Sequence, residues 1–367
     1  MSTPSAASRL FPGLRVRTTG RRAQLLMLGL VSLLAFVVFL SVDKGAVEIS
    51  LVQCLSIVGH RVGLQLPWAF TVEQSATLLN IRLPRVALGL LVGAGLGISG
   101  AAMQGLFRNP LADPSLVGIS SGAALAATMT VIVGDAVSYT LPHALQLFAF
   151  PATAFIGALV TSLLVYRLAT IAGQTVVATL LLAGIAINAL AQAFSGFLTF
   201  YATDTQIRSL TFWKLGSLGG ATWASTAAAA PFIIIPVVLF PRLARPLNAL
   251  LLGESEAGHL GFDVERVKLT VVVLVSLTVG AAVAFTGLIG FVGLVVPHLL
   301  RLLNGPDHRR LLPGAALLGA SLLLGADLFA RTVVAPAELP IGVLTSIIGA
   351  PFFLWLLLRD RKWRIIH

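Results

Sequence analysis

Apolar residues run along this chain in long, nearly uninterrupted stretches, and the segments between them collect charge, proline and glycine. The runs cover 23–42, 84–107, 115–134, 144–169, 176–200, 222–240, 267–287, 291–303, 311–331 and 341–358. A hydrocarbon layer of about 30 Å takes roughly 20 helical residues to cross. Nine of the runs come close to that length or exceed it; the run at 291–303 is too short to span as a straight helix and must be shielded by protein or continue from its neighbour. The pattern predicts an all-α integral membrane protein of about ten transmembrane helices.

The first run follows Arg15, Arg17, Arg21 and Arg22, as a secretion signal would. It is longer than the roughly 7–15 residues of a signal core, and Asp43-Lys44-Gly45 supplies no small-x-small cleavage site, so it reads as a retained helix. The expected organisation is a tail at 1–22, one transmembrane domain at 23–358 and a second tail at 359–367.

Composition agrees with this pattern: 57% of the 367 residues are hydrophobic and 11% charged, with a mean hydropathy of +0.95, against about 25% charged in soluble domains. The formal charge of +11 sits in short loops between apolar runs, which points to a membrane surface rather than nucleic acid. Its placement also orients the chain. With ten spans, eighteen of the 25 basic residues fall on the side of the N-terminus and seven on the other, so the positive-inside rule puts both termini in the cytoplasm. One cysteine, Cys54, excludes an intrachain disulfide, and the six histidines are scattered without metal-site spacing. No phosphate-binding loop, nucleophile elbow or paired-carboxylate site is present, which argues against an enzyme.

Four features depart from membrane filler. The sequences GAGLGISG at 93–100 and GAAVAFTG at 280–287, offset by 187 with Pro110 opposite Pro297, suggest a duplicated half. On the fifth run, Asn188, Gln192 and Ser195 at i, i+4 and i+7 share one helical face, which must point inward in lipid, either to bond neighbouring helices or to line a pathway. Asp327 and Arg331, four apart at the end of the ninth run, form a potential ion pair. The segment 247–266 has Leu and Ala at helical spacing, Gly253, Gly258 and Gly261 as breakers, and the acids Glu254, Glu256, Asp263 and Glu265. A membrane-skimming amphipath would be more basic, so docking to a partner protein suits it better. Span interiors hold few acids, which disfavours an ion-coupled secondary carrier and leaves another polypeptide as the energy source.

Several long motifs carry a family resemblance. IRLPR at 81–85, ISGAAMQGLFRNPLADPSLVGISSGAAL at 98–125, LIGFVGLVVPHLLR at 288–301, GADLFAR at 325–331 and ELPIGVLTSIIGAPFFLWLLL at 338–358 resemble the iron-siderophore, haem and vitamin B12 permeases of ATP-binding-cassette importers. The likeness extends from about residue 25 to 362.

The resemblance implies a type II importer fold: a homodimer of ten-helix subunits in a bacterial inner membrane, two cytoplasmic ATPase subunits, and a periplasmic substrate-binding protein. ATP would be used by the partner, with no cofactor or metal held permanently by this chain. It implies that Leu251, Gly253, Glu254, Ala257, Leu260 and Gly261 belong to coupling helices seated in the ATPase, and that Arg82, Arg85 and Arg331 dock acidic residues of the binding protein. LLLAGIAINAL at 180–190 and RSLTFWKLGSLGGATW at 208–223 look closer to haem permeases than to cobalamin or ferric-siderophore members, and Arg208 would give the pathway a basic mouth for haem propionates.

Overall fold

Inside lipid no water satisfies backbone N–H and C=O groups, so each apolar run must close its hydrogen bonds locally and become a helix. The computed structural model describes residues 20–45, 47–64, 66–138, 143–335 and 337–365; most of the tail expected at 1–22 and the last two residues lie outside them. The helices are α1 (Gly20–Asp43), α2 (Leu51–Arg61), α3 (Val72–Leu106), α4 (Ile119–Ser138), α5 (His143–Ala169), α6 (Val177–Phe200) and α7 (Asp204–Lys214). They continue with α8 (Trp223–Leu239), α9 (Ala244–Leu250), α10 (Glu254–His259), α11 (Val264–Thr286), α12 (Val292–Asn304), α13 (His308–Thr332) and α14 (Ile341–Ile365).

Among the described residues seven helices are long and apolar enough to cross a membrane, and three shorter apolar helices, Ile119–Ile132, Val292–Asn304 and Ile341–Leu354, join them. Each of the ten hydrophobic runs corresponds to one of these. The short run is α12, whose Val292, Val295, Val296, Pro297 and Leu300 are buried, so protein shields it as its length requires. Two helices outside the apolar runs, α2 and α7, carry a signal that hydropathy does not weigh. Ser50 with Gln53, and Thr203 with Gln206, form reciprocal capping boxes at their N-termini. A two-residue hairpin, Thr170–Ile171 against Gln174–Thr175, joins α5 to α6 through Ala172 and Gly173, both at positive φ.

The bundle is organised around α3, which packs on α13, α11, α12 and α8, while α4, α5 and α6 form a second group resting on α11. Lipid tails are as apolar as leucine, so helix association here depends on close van der Waals approach rather than on hydrophobic exclusion. The α3–α13 crossing shows how the approach is made. A Cβ at Gly93 would meet the Gly319 carbonyl at 2.6 Å, and one at Gly97 would collide with the Ala315 carbonyl. Reciprocally, a Cβ at Gly319 would strike the Gly93 carbonyl. The 187-residue offset places Gly93 and Gly280 alike inside helices, but Gly100 lies within α3 and Gly287 ends α11. Pro110 likewise sits in a turn and Pro297 inside α12, so the equivalence does not extend to local geometry.

Within α3, Thr77–Arg82 is π-helical. Pro84, which has no N–H to donate, stands two residues past the end of this turn, and the Leu83 N–H between them reaches back five residues to the Leu78 carbonyl. Large apolar side chains remain exposed along α1 (Leu28, Phe36), α5 (Ile156, Val160), α6 (Leu182, Phe197) and α8 (Ile235, Val238). A surface of this kind is stable only against lipid or another protein chain.

Replacing Gly319 with valine forces α13 off α3 and is expected to destabilise the protein by about 1–3 kcal/mol, the usual range for overpacking. Gly29→Ala, at a position with nothing within 4 Å of the new Cβ, should leave stability unchanged; thermal unfolding in detergent compares the two.

Candidate coupling, rim and pathway sites

At one end of the bundle the chain between α9 and α11 forms a stiff projection. Leu252 and Gly253 N–H groups close a turn on the Ala249 and Leu250 carbonyls, and Gly253 starts α10 at φ 135°. The helix ends where the Phe262 N–H bonds to the Ala257 carbonyl and the Gly261 N–H to Gly258, with Gly261 in the left-handed region at φ 86°. Glycine therefore bounds α10 on both sides because no other residue adopts these angles without strain.

Exposed Leu251, Leu252 and Leu260 crown the projection, while Ala257 is fully buried beneath it. Ala257 belongs to the buried apolar core and so packs the helix to the bundle rather than standing at its surface. The base is pinned through Asn248, which bonds Asp307 at 2.6 Å and His308 Nδ1 at 2.8 Å. The Asp307 carboxyl is partly desolvated, which works against ionisation, but hydrogen bonds from Asn248 and the Arg309 N–H, with the nearby Arg309 and Arg310 charges, hold it below the usual carboxylate range.

The charged residue that sequence reasoning passed over lies here. Lys268, one residue into an apolar run, is 2% exposed and donates to Thr175 O at 2.6 Å, Glu254 Oε2 at 2.7 Å and Glu265 Oε1 at 2.9 Å. A charge set inside a hydrophobic run was the available signal.

The opposite end holds the three arginines of the expected docking set, and all three are turned inward. Arg85 is bidentate to Glu338, with N···O distances of 2.8 and 2.9 Å, and also donates to Asp327 from Nε at 3.0 Å and Nη2 at 2.8 Å. Arg82 donates to the carbonyls of Val42, Asp43 and Val47, and Arg331 to those of Ser41 and Lys44. Two guanidinium groups therefore clasp the carbonyl end of α1, where the helix dipole is negative. Asp327 lies 3.6 Å from Arg331 as the i, i+4 spacing anticipated, but its closer partner is Arg85, 242 residues away. Glu338 is the most open member, with its side chain 44% exposed, and the Arg85 hydrogen bonds keep its carboxyl below the usual range.

On α6 the expected single inward face divides. Asn188 bonds the Ser115 carbonyl at 3.2 Å and accepts from the Ser121 hydroxyl, tying α6 to α4 and the turn before it. Ser195 is buried, but Gln192 is exposed, because little of α6 is covered within this chain. Arg208 lies exposed on α7.

Residues 33–359 match the sequence profile of the FecCD transport family. The chain belongs to this family. It is a multi-pass membrane protein and a permease subunit of an ATP-binding-cassette importer. The hemin transport system permease protein HmuU of Yersinia pestis is 52% identical over 78% of this chain and 84% of its own length. The cobalamin import system permease protein BtuC of Halobacterium salinarum is 46% identical over 82% and 78%. A solved structure described as an inward-facing, metal-chelate-type ABC transporter superposes with a TM-score of 0.78 at 30% identity, covering 92% of this chain and 99% of that one. ATP hydrolysis in the FecCD family is the work of a separate ATPase, in keeping with the transport architecture of this chain.

Gly261→Ala puts a Cβ into left-handed backbone at a cost of about 1–2 kcal/mol, and should loosen α10 measurably in hydrogen exchange of residues 253–262 while the membrane spans keep their protection. A carboxyl with a depressed pKa stabilises the fold above its unfolded value of about 4.3 and loses that contribution as pH falls through the lower folded value. Between pH 7 and acid conditions the wild-type melting temperature should therefore drop more steeply than that of Glu338→Gln.

Proposed function

We propose that this FecCD permease carries haem from the periplasm to the cytoplasm across a bacterial inner membrane, as a homodimer driven by two cytoplasmic ATPase subunits and supplied by a periplasmic binding protein. The observation that carries the substrate assignment is the 52% identity to a hemin permease. The chemistry is compatible with it: haem is flat and apolar with two propionates, and α6 bears an apolar exposed face (Leu182, Ile185, Phe194, Phe197) with Gln192 on it and Arg208 beyond its end. Two copies joined through that face would enclose a path lined by few polar groups.

In this reading the α10 projection lies in the cytoplasm, together with both termini, and seats in the ATPase through Leu251, Leu252 and Leu260. Glu254, Gly253 and Gly261 fix its shape. The arginine end faces the periplasm. There Arg82, Arg85 and Arg331 are the groups that would meet carboxylates of the binding protein. A binding-protein carboxylate reaching Arg85 competes with Glu338, since four of the five N–H groups of that guanidinium are directed at Asp327 and Glu338. The permease itself holds no permanent cofactor, and ATP is consumed by its partner. Cobalamin is the second reading, supported by the 46% identity of the Halobacterium salinarum protein.

Proteoliposomes holding the permease, its ATPase and its binding protein should accumulate haem only with hydrolysable ATP, and ionophores that collapse proton and sodium gradients should leave uptake unchanged. Saturable uptake of cyanocobalamin in place of haem would reassign the substrate. Gradient-driven uptake without the ATPase would overturn the importer reading.

A further inference from the structure

The geometry points to Lys268 as the pin that transmits movement of the ATPase-docking projection to the base of α6; this rests on the coupling reading of α10 given above. An ammonium group has three donors and no acceptor. At Lys268 each donor has an acceptor from a different structural segment. One is Glu254, the first residue of α10; another is Glu265, in the first turn of α11; the third is the carbonyl of Thr175, in the hairpin that leads into α6. Glu265 completes the triangle, accepting from the Thr175 N–H at 2.8 Å, so both backbone groups of Thr175 are held by side chains of α11.

Thr175 is 3% exposed and stands two residues before α6, the helix that carries Asn188, Gln192 and Ser195. The hairpin is short and closed by its own ladder and by the Thr170–Thr175 hydroxyl contact at 2.9 Å, and so it moves as a unit. The far end of α11 meets a second junction, where the Ser217 N–H bonds the Thr286 carbonyl and the Ile341 and Gly342 N–H groups bond the Gly216 and Leu215 carbonyls, at the start of α14. A displacement of α10 thus has a polar, direction-specific route through Lys268 into α6, and a rigid route along α11 towards α14.

Apolar contact alone would let α10 slide on the bundle. A buried ammonium bound in three directions resists sliding, because moving α10 away leaves one of its N–H donors without an acceptor out of water. The role is one of positioning, since Lys268 is too enclosed to touch substrate or ATPase.

The test uses the full complex in lipid nanodiscs and proteoliposomes, with Gln174→Cys spin-labelled in a Cys54→Ser background so that hairpin motion is read without any transported substrate. Lys268→Met and Glu254→Ala should keep the ATPase attached and hydrolysing, lose the ATP-dependent change in label mobility at position 174, and lower the ratio of haem transported to ATP hydrolysed by at least about fivefold, the low end of ordinary coupling strengths. Arg167→Met, which removes an exposed charge from the last turn of α5 outside the docking segment, should leave both readouts as in the wild type. If Lys268→Met does not assemble, Glu254→Ala decides by itself, because it breaks one prong and leaves the Lys268–Glu265–Thr175 triangle in place. An unchanged ratio and an unchanged label response in Glu254→Ala would overturn the pin. Leu252→Ala with Leu260→Ala separates the underlying reading: retention of the ATPase by that double variant defeats docking through α10 and the pin with it, whereas its loss beside a normal Glu254→Ala defeats the pin alone.

Discussion

The contact on which the rest of the structure depends is the side-chain-free crossing of α3 and α13. In lipid two helices gain little by hiding apolar surface from each other, and stability comes from how closely their backbones pack. Gly93, Gly97 and Gly319 let carbonyl oxygens of one helix sit where a Cβ of the other would be. With α13 laid against α3, both ends of the molecule fall into place. Arg85 and Asp327 become neighbours at one end, and at the other His308 comes against Gly105 while holding Asn248 beneath the α10 projection.

The two ends use charge differently. At the arginine end, three cations and two carboxylates close a network that also clasps the carbonyl terminus of α1, so α1, α3, α13 and the segment leading into α14 are tied together. Such buried pairs contribute little net stability relative to apolar packing, but a missing partner leaves a stranded charge, which favours one arrangement over its neighbours. At the projection end, the acids Glu254 and Glu265 are partly open to solvent and share one buried lysine. The first network joins whole helices, and the second joins a surface element to two helices at once. A transport subunit whose motor is another polypeptide needs the second kind, because a surface that merely binds the motor cannot carry its movement inward.

Much of this was legible from residue order alone. Period and length marked the ten apolar helices, the short run at 291–303 was recognisable as one that protein must shield, and the glycine-broken acidic stretch at 247–266 marked a feature other than a span. These follow from local rules: a backbone in lipid must become helical, a helix of a given length rises by a given distance, and glycine permits angles that other residues resist. The capping boxes of α2 and α7 were equally readable, since their signal lies within four residues.

What only the folded chain decided are the partnerships across long separations. Asp327 sits four residues from Arg331, yet its nearest cation is Arg85; Lys268 takes Thr175 from 93 residues away; and the polar stripe of Asn188, Gln192 and Ser195 divides into a bonded, an exposed and a buried position. Helical spacing says which side chains share a face, whereas the neighbour that face meets depends on where two glycine-lined helices cross, and that is settled by the packing of the whole bundle.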